Sequence, residues 1–523
     1  MIDNPILIHH YLERSAKRFP DKIALIHEDV RATYQQINSQ ANQLAKFFIK
    51  QGVIPGDRVV LLLENSLEYV VSYYAALKAG AVAVPMNTEL KPDGLLPLLQ
   101  VLDARCLVSA RKFERLLRAV DLSTTTIESI IIKSPKLSLN QNVAVFDWDD
   151  VALAHNISDL NLDISSSSLG SIIYTSGSTG QPKGVMLSHG NILANVTSIC
   201  QYLQLSDNDI QMVVLPFFYV MGKSLLNTHF AVGGCVVINN KFAYPATVIQ
   251  QMIDEKVTGF SGVPSTYAYL LHKSPLIASR EKLISLRYCS QAGGHMSSAT
   301  KQQLMAALPE HTKLYVMYGA TEASARLAYV KPAMLNDKID SIGQEIPGVT
   351  LKVLDQTGFE LPVGEVGEIV ASGDNIMRGY WRNPEATAKI SSQHGYHTGD
   401  LGYRDKDGCF FVVGRKDNQL KVGGHRINTQ EIEDVIMATG LAVEVAVLGI
   451  PDPLLGNKLA AVVVPVDSDL NAKEVLFACG KRLPNYKIPQ DICFCSSLPK
   501  SASGKVDRKQ CSKKICLAAD ERR

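Results

Sequence analysis

Leu169-Gly170-Ser171-Ile172-Ile173-Tyr174 is an apolar run that passes directly into Thr175-Ser176-Gly177-Ser178-Thr179-Gly180-Gln181-Pro182-Lys183-Gly184. The run reads as a buried strand and its continuation as a glycine-rich turn. Glycines let the backbone turn sharply, so its N–H groups and the Ser and Thr hydroxyls can converge on one small anion, and Lys183 adds a mobile positive charge. Thr175, Ser176, Gly177, Ser178, Thr179, Gly180 and Lys183 are therefore candidate phosphate-binding residues. This is not a Walker A loop, which needs glycine where Pro182 stands and Ser or Thr where Gly184 stands. The competing reading is a plain polar turn. Against it stand one lysine, four Ser or Thr residues and three glycines within eleven positions.

Working outward, Ile37, Ala41, Leu44, Ala45 and Phe48 recur at helical spacing and stop at Gly52, after which residues 59–63 form a continuous strand run. Residues 69–78 predict a second helix, Gly80 its stop and residues 81–84 the next strand. The rhythm returns at residues 234–238 and 314–317. Such alternation predicts an α/β fold of mainly parallel sheets between helix layers. Beyond about residue 340, frequent glycines and short runs at 351–354, 365–370 and 409–413 predict a β subdomain. A charged junction at 414–418 then leads into helix 429–438, strands 443–450 and 459–465, and helix 472–483. The domain boundary is placed at Asp417: a large N-terminal domain over 1–416 and a small α+β domain over 417–523. Residues 165–168, all serine, read as a loop.

Composition excludes whole classes. With 523 residues, 46% hydrophobic and 20% charged, the chain is neither disordered nor fibrous. Fifty-three basic residues against 51 acidic leave a net charge of +2, without the basic footprint of a nucleic-acid binder. The ten cysteines are scattered, and the close pair Cys493 and Cys495 lacks CxxC partners, so they are expected to be reduced thiols. The most apolar stretch, 69–85, is broken by Ser72 and Lys78 and falls short of a membrane span. The N-terminus lacks the basic and apolar segments of a signal peptide, so a cytoplasmic location is expected.

Further motifs follow in fixed order: Tyr318-Gly319-Ala320-Thr321-Glu322, Gly379-Tyr380-Trp381, Thr398-Gly399-Asp400, Gly414-Arg415 with Lys421, Gly423, Gly424 and Arg426, Glu431-Ile432-Glu433, and a C-terminal Gly504-Lys505. With the loop at 174–184, this series resembles the adenylate-forming superfamily of acyl-CoA synthetases, adenylation domains and luciferases, over nearly the whole chain. The resemblance implies ATP, Mg²⁺ and CoA, or a carrier-protein phosphopantetheine, as cofactors. It implies that Thr175 to Lys183 hold the β and γ phosphates, Thr321 the α-phosphate, and Glu322 the metal. Tyr318 and Gly319, with the backbone of Ala292-Gly293-Gly294, would lie against adenine, and Asp400 with Arg415 would bind the ribose. Lys505 would be the catalytic cation, bridging acyl and phosphate oxygens as negative charge crowds between them. Asp417 matches the family hinge, and Gly423, Gly424 and Arg426 match the loop that flanks the thiol arm. A hairpin turn is the bland reading of Gly423-Gly424. For the distal lysines a merely basic tail is preferred, residues 499–523 holding eight basic residues against three acids.

The acyl pocket matches less closely. Residues 215–222 follow the family pattern Pro-Leu-Phe-His-x-x-Gly except that Tyr219 replaces histidine. Phe217, Phe218, Val220, Met221 and Gly222 would form an apolar wall completed by Val263 and Gln291, although an aromatic cluster is more often plain core. In amino-acid-activating relatives an aspartate aligns with Tyr219. No acid stands between Gln211 and Asp254, so an acid without an α-ammonium group is expected, fatty or aryl rather than amino. The leading reading is an ATP-dependent acid–thiol ligase that makes an acyl-adenylate and passes it to CoA. The alternatives are an enzyme loading a carrier protein in trans, a silent nucleotide-binding regulator, which would be expected to have lost Lys505, Glu322 or Asp400, and a P-loop ATPase, which lacks its pattern here.

Overall fold

Two large sheets share one buried helical layer. The computed structural model describes residues 6–137, 143–152, 158–176, 182–416, 420–422, 425–452, 456–501 and 504–520. In the first sheet, of eight strands, Leu169–Ser176, Val82–Pro85, Arg58–Leu62, Ala104–Ala110, Ser129–Lys133 and Ala144–Asp147 run parallel, and Pro182–Ser188 and Gly379–Tyr380 close one edge antiparallel. The second sheet, of nine strands, has a parallel centre through Tyr288–Gln291 and Lys313–Tyr318. Side chains alternate across a strand. Val59 and Leu61 thus join Val213, Val236 and Ile238 of the other sheet in one core, while Val60 and Leu62 face Leu95 and Leu99 outside.

Between the sheets lies the helix Leu67–Lys78, capped by Ser66 Oγ accepting from Tyr69 N at 3.1 Å and buried at every position from Tyr69 to Lys78. A helix apolar all round is what a position between two sheets requires. The expected elements recur with shifts of a few residues at their ends. The run predicted from residue 365 begins as a strand only at Gly367, because Val366 is turned to solvent.

The predicted β subdomain is a five-stranded antiparallel sheet, in which Gly395–Arg404 pairs with Gly367–Gly373 and Phe410–Arg415. The C-terminal part folds around Ala442–Asp452, Gly456–Pro465 and Asp491–Phe494, a three-stranded sheet. Ile432, Ile436, Val475 and Cys479 cover one face, and Cys511, Ile515 and, from the N-terminal part, Ala268 pack on the other. Among the described residues no helix is long and apolar enough to cross a membrane, and the nine cysteines whose side chains are described are free thiols.

Candidate active site

The hairpin Leu169–Ser176/Pro182–Ser188 sets Thr175 opposite Lys183 at the mouth of the glycine-rich loop. Gly177, Ser178, Thr179 and Gly180 lie outside the described residues, as does the side chain of Ser176. Lys183 Nζ stands 5.1 Å over the Tyr380 ring, and the Tyr380 hydroxyl donates to Glu322 Oε1 at 2.7 Å. Tyr380 comes from the edge strand Gly379–Tyr380 and Glu322 from the short helix Thr321–Ala323, so these elements meet beside the loop.

Gly319 has a packing reason to be glycine. A Cβ there would collide with the Ala325 carbonyl oxygen, because the chain folds back on itself around Thr321. The Tyr318 hydroxyl donates to Asp400 Oδ2 at 2.5 Å, and Arg415 Nη1 lies 3.1 Å from Asp400 Oδ1, its cross-strand partner. Burial raises the Asp400 pKa, against the pull of Arg415, Tyr318 and Lys505.

Lys505 reaches this cluster from the C-terminal part. Gly293 has φ +86°, and a Cβ there would stand 3.6 Å from Lys505 Cε. Gly504 is held by Ser265 Oγ, which donates to its carbonyl at 2.7 Å. Lys505 keeps a water-accessible surface within the cleft, yet the walls crowd it. Desolvation accordingly lowers its pKa, Glu322 and Asp400 opposing that shift and Arg415 adding to it. The cleft behind it has a volume of about 400 Å³ and runs between His295 and Asp434, whose side chains meet at 2.8 Å.

On the acyl side, Met221 and Val263 share one buried cluster with Ala292, Tyr202, Tyr315 and Met317. Phe218 packs beside Tyr219 with the rings tilted and their centroids 4.8 Å apart, and Gly222 presses the helix Val220–Val232 against Pro216 O. Phe217 departs from the expected wall. It packs on Tyr69 at 5.2 Å in the layer between the sheets, because successive residues of this turn face opposite ways. Gln291, expected in the pocket wall, commits its Nε2 to Gly294 O at 2.7 Å and so braces the backbone expected to face adenine. Asp417, Gly423 and Gly424 lie outside the described residues, as does the side chain of Arg426.

Sequence reading did not single out Arg326, although it lies four residues past Glu322, buried beside Met317. Its signal was a cation inside an otherwise apolar run. Tyr380 carries no signal in sequence beyond its place in the motif Gly379-Tyr380-Trp381, because its bond to Glu322 depends on two elements distant in sequence.

The chain matches the family model of AMP-binding enzymes over residues 12–381 and that of the AMP-binding enzyme C-terminal domain over residues 431–505. It belongs to the AMP-binding enzyme family. Over 506 residues it is 31% identical to a feruloyl-CoA synthase of Amycolatopsis sp, covering 94% of this chain and 96% of that protein. Over 502 residues it is 29% identical to a 2-succinylbenzoate–CoA ligase of Bacillus cereus (strain AH820), covering 96% and 97%. The solved structure of an anthranilate CoA ligase in complex with anthranoyl-AMP superposes with a TM-score of 0.88 at 27% identity, covering 99% of each chain.

Proposed function

We propose that this protein is an ATP- and Mg²⁺-dependent acid–CoA ligase. In the first step a carboxylate oxygen attacks the α-phosphorus of ATP, the bond to the β-phosphate oxygen breaks and pyrophosphate leaves. In the second, the CoA sulfur attacks the acyl carbon, the thiol proton passes to solvent and AMP departs. The observation that carries this reading is Lys505 over Gly293, within the field of Glu322 and Asp400. Two anions must meet there, and a positioned ammonium acts most strongly as they do. CoA as acceptor is supported by the related CoA ligases.

The remaining roles belong to the same proposal and are carried over from the motif residues. Thr175, Lys183 and the loop between them hold the outer phosphates, and Thr321 the α-phosphate. Tyr318, Gly319 and the backbone of Ala292, Gly293 and Gly294 flank adenine, while Asp400 and Arg415 take the ribose hydroxyls. Glu322 would hold Mg²⁺ through its carboxylate, an ion that keeps several waters and needs few protein ligands, and the bound ion would supply neutralisation of the phosphate charge. The acyl wall is Phe218, Tyr219, Met221, Gly222, Val263 and Gln291. The C-terminal domain pivots about Asp417 to bring Gly423, Gly424 and Arg426 to the thiol. The nine free thiols fit work in the reducing cytoplasm.

Pyrophosphate exchange over a panel of acids, repeated as thioester formation with CoA, tests the reading. Lys505→Ala is expected to lower exchange by roughly 10²- to 10³-fold while sparing thioester formation from synthetic acyl-adenylate. Equal loss in both steps would remove Lys505 from the adenylation step.

A further inference from the structure

Directly after Thr321 and Glu322 the chain passes through two non-glycine residues of positive φ, Ser324 at 57° and Ala325 at 129°. Alanine rarely enters that second region, and such strain persists only where the surroundings impose it. Here they do. Ser324 Oγ donates to Asn375 O at 2.7 Å, Asn375 Nδ2 donates to Ala323 O and Arg326 O at 3.0 Å, and Asn195 Nδ2 donates to Arg326 O at 2.9 Å. The clamped turn carries the Arg326 side chain inward and leaves the residue 3% exposed.

Among the described residues its guanidinium meets only uncharged acceptors. Nε approaches Met317 Sδ at 3.1 Å, Nη1 donates to Ala325 O at 3.3 Å, and the Tyr202 hydroxyl takes a further bond. Among the described residues no carboxylate pairs with it, and burial lowers its pKa with Tyr202 opposing. Arginine nevertheless stays charged at any working pH. A buried charge without an opposite charge is costly, and a chain that keeps one leaves the counter-charge to something else.

The neighbours say where that counter-charge enters. Met317 and Tyr202 belong to the buried cluster of the acyl wall, with Met221, Val263 and Ala292. Side chains alternate along Lys313–Tyr318, so Tyr315 and Met317 face this cluster while the hydroxyl of the next residue, Tyr318, meets Asp400 on the nucleotide side. We propose that Arg326 determines specificity by receiving a second carboxylate of the acid, so that the enzyme activates one end of a dicarboxylic acid while the guanidinium grips the other. Guanidinium and carboxylate match as a two-bond fork, which a Lys ammonium does not reproduce. The proposal rests on the acid–CoA ligase reading and replaces the wholly apolar acid expected from residues 215–222. It retains the exclusion of amino acids, whose ammonium the same charge repels.

Pyrophosphate exchange with aliphatic and aryl dicarboxylic acids, each paired with its monomethyl half-ester and the monoacid of equal carbon count, tests it. The parent enzyme is expected to favour at least one diacid over its half-ester by about a hundredfold in kcat/KM, the scale on which breaking a buried charge pair is felt. Arg326→Met should reverse that order, and Arg326→Lys should keep the order at a smaller ratio. Half-esters used as well as diacids by the parent, which needs no variant to fold, would overturn the proposal, as would an unchanged ratio in Arg326→Met. Should no acid support exchange, the ligase reading fails and a thermal-shift measurement decides Arg326 by itself. A diacid must then raise the Tm of the parent and not of Arg326→Met, and no shift with any diacid refutes the proposal.

Discussion

Lys223 lies on the helix Val220–Val232 with 2% of its surface exposed, its Nζ donating to Ser171 Oγ at 2.9 Å and standing 5.0 Å over the Tyr73 ring. Burial alone lowers its pKa from 10.5 to about 7. Lys505 is lowered by desolvation too, but Glu322 and Asp400 compensate part of the shift. Between pH 7 and 10.5 the unfolded chain holds the Lys223 proton and the folded chain does not, so stability falls as pH drops through that window and levels off below it. A shift of this size corresponds to a few kcal/mol, to order of magnitude. Lys223→Met is therefore expected to raise the Tm by roughly 5 °C at neutral pH. The gain should fade toward pH 10.5, the ordinary lysine value. Thermal unfolding of parent and variant across that range checks this; a gain independent of pH would refute the neutral-lysine account.

At the scale of elements, the site is made by turns that leave strand ends. Lys313–Tyr318 ends at Gly319, and the short helix Thr321–Ala323 follows at once, folded back until Leu327 N donates to Tyr318 O at 2.9 Å. The reversal works only if residue 319 has no side chain, since a Cβ would meet the Ala325 carbonyl. Gly319→Ala should displace Thr321 and Glu322 without touching either sheet core. Misplacing a positioning group by about 1 Å can cost 10²-fold in rate. The expected result is a fall in pyrophosphate exchange of about that size with the far-ultraviolet circular dichroism unchanged. A fully active Gly319→Ala enzyme would mean that the turn tolerates movement.

Across the whole molecule, the contacts that join the two parts among the described residues include the side-chain pair of His295 with Asp434, Ser265 with Gly504, Asn428 Nδ2 with Val413 O, Lys500 Nζ 4.3 Å over the Tyr269 ring, and the packing of Ala268 on the C-terminal core. The His295–Asp434 pair is partly exposed, and such pairs contribute ~0.2–1 kcal/mol. Asp434→Ala is thus expected to slow adenylation by no more than about fivefold while leaving thioester formation from acyl-adenylate equal or faster. A weak latch suits the proposed pivot of the C-terminal domain about Asp417. A loss of a hundredfold or more in the first step alone would assign Asp434 a larger part than latching.

Much of this was open to reading in one dimension because it is local. A continuous apolar run makes a strand, helical spacing makes a helix, and a glycine-rich turn after a strand makes an anion cradle, each within about a dozen residues. The motif series from Tyr174 to Lys505 accordingly named candidate nucleotide residues, and the fold brings Lys183, Tyr318, Glu322, Asp400, Arg415 and Lys505 together. The sequence could not say that Tyr380 binds Glu322, that Phe217 belongs to the core between the sheets, or that Lys505 arrives over Gly293. Nor could it say that Arg326 is buried without a carboxylate partner among the described residues. Those facts depend on which distant segments pack together. Burial and missing counter-charges belong to a three-dimensional neighbourhood, so the reaction class was set by sequence, whereas the burial of Arg326 beside Met317 and Tyr202 was decided only when the chain folded.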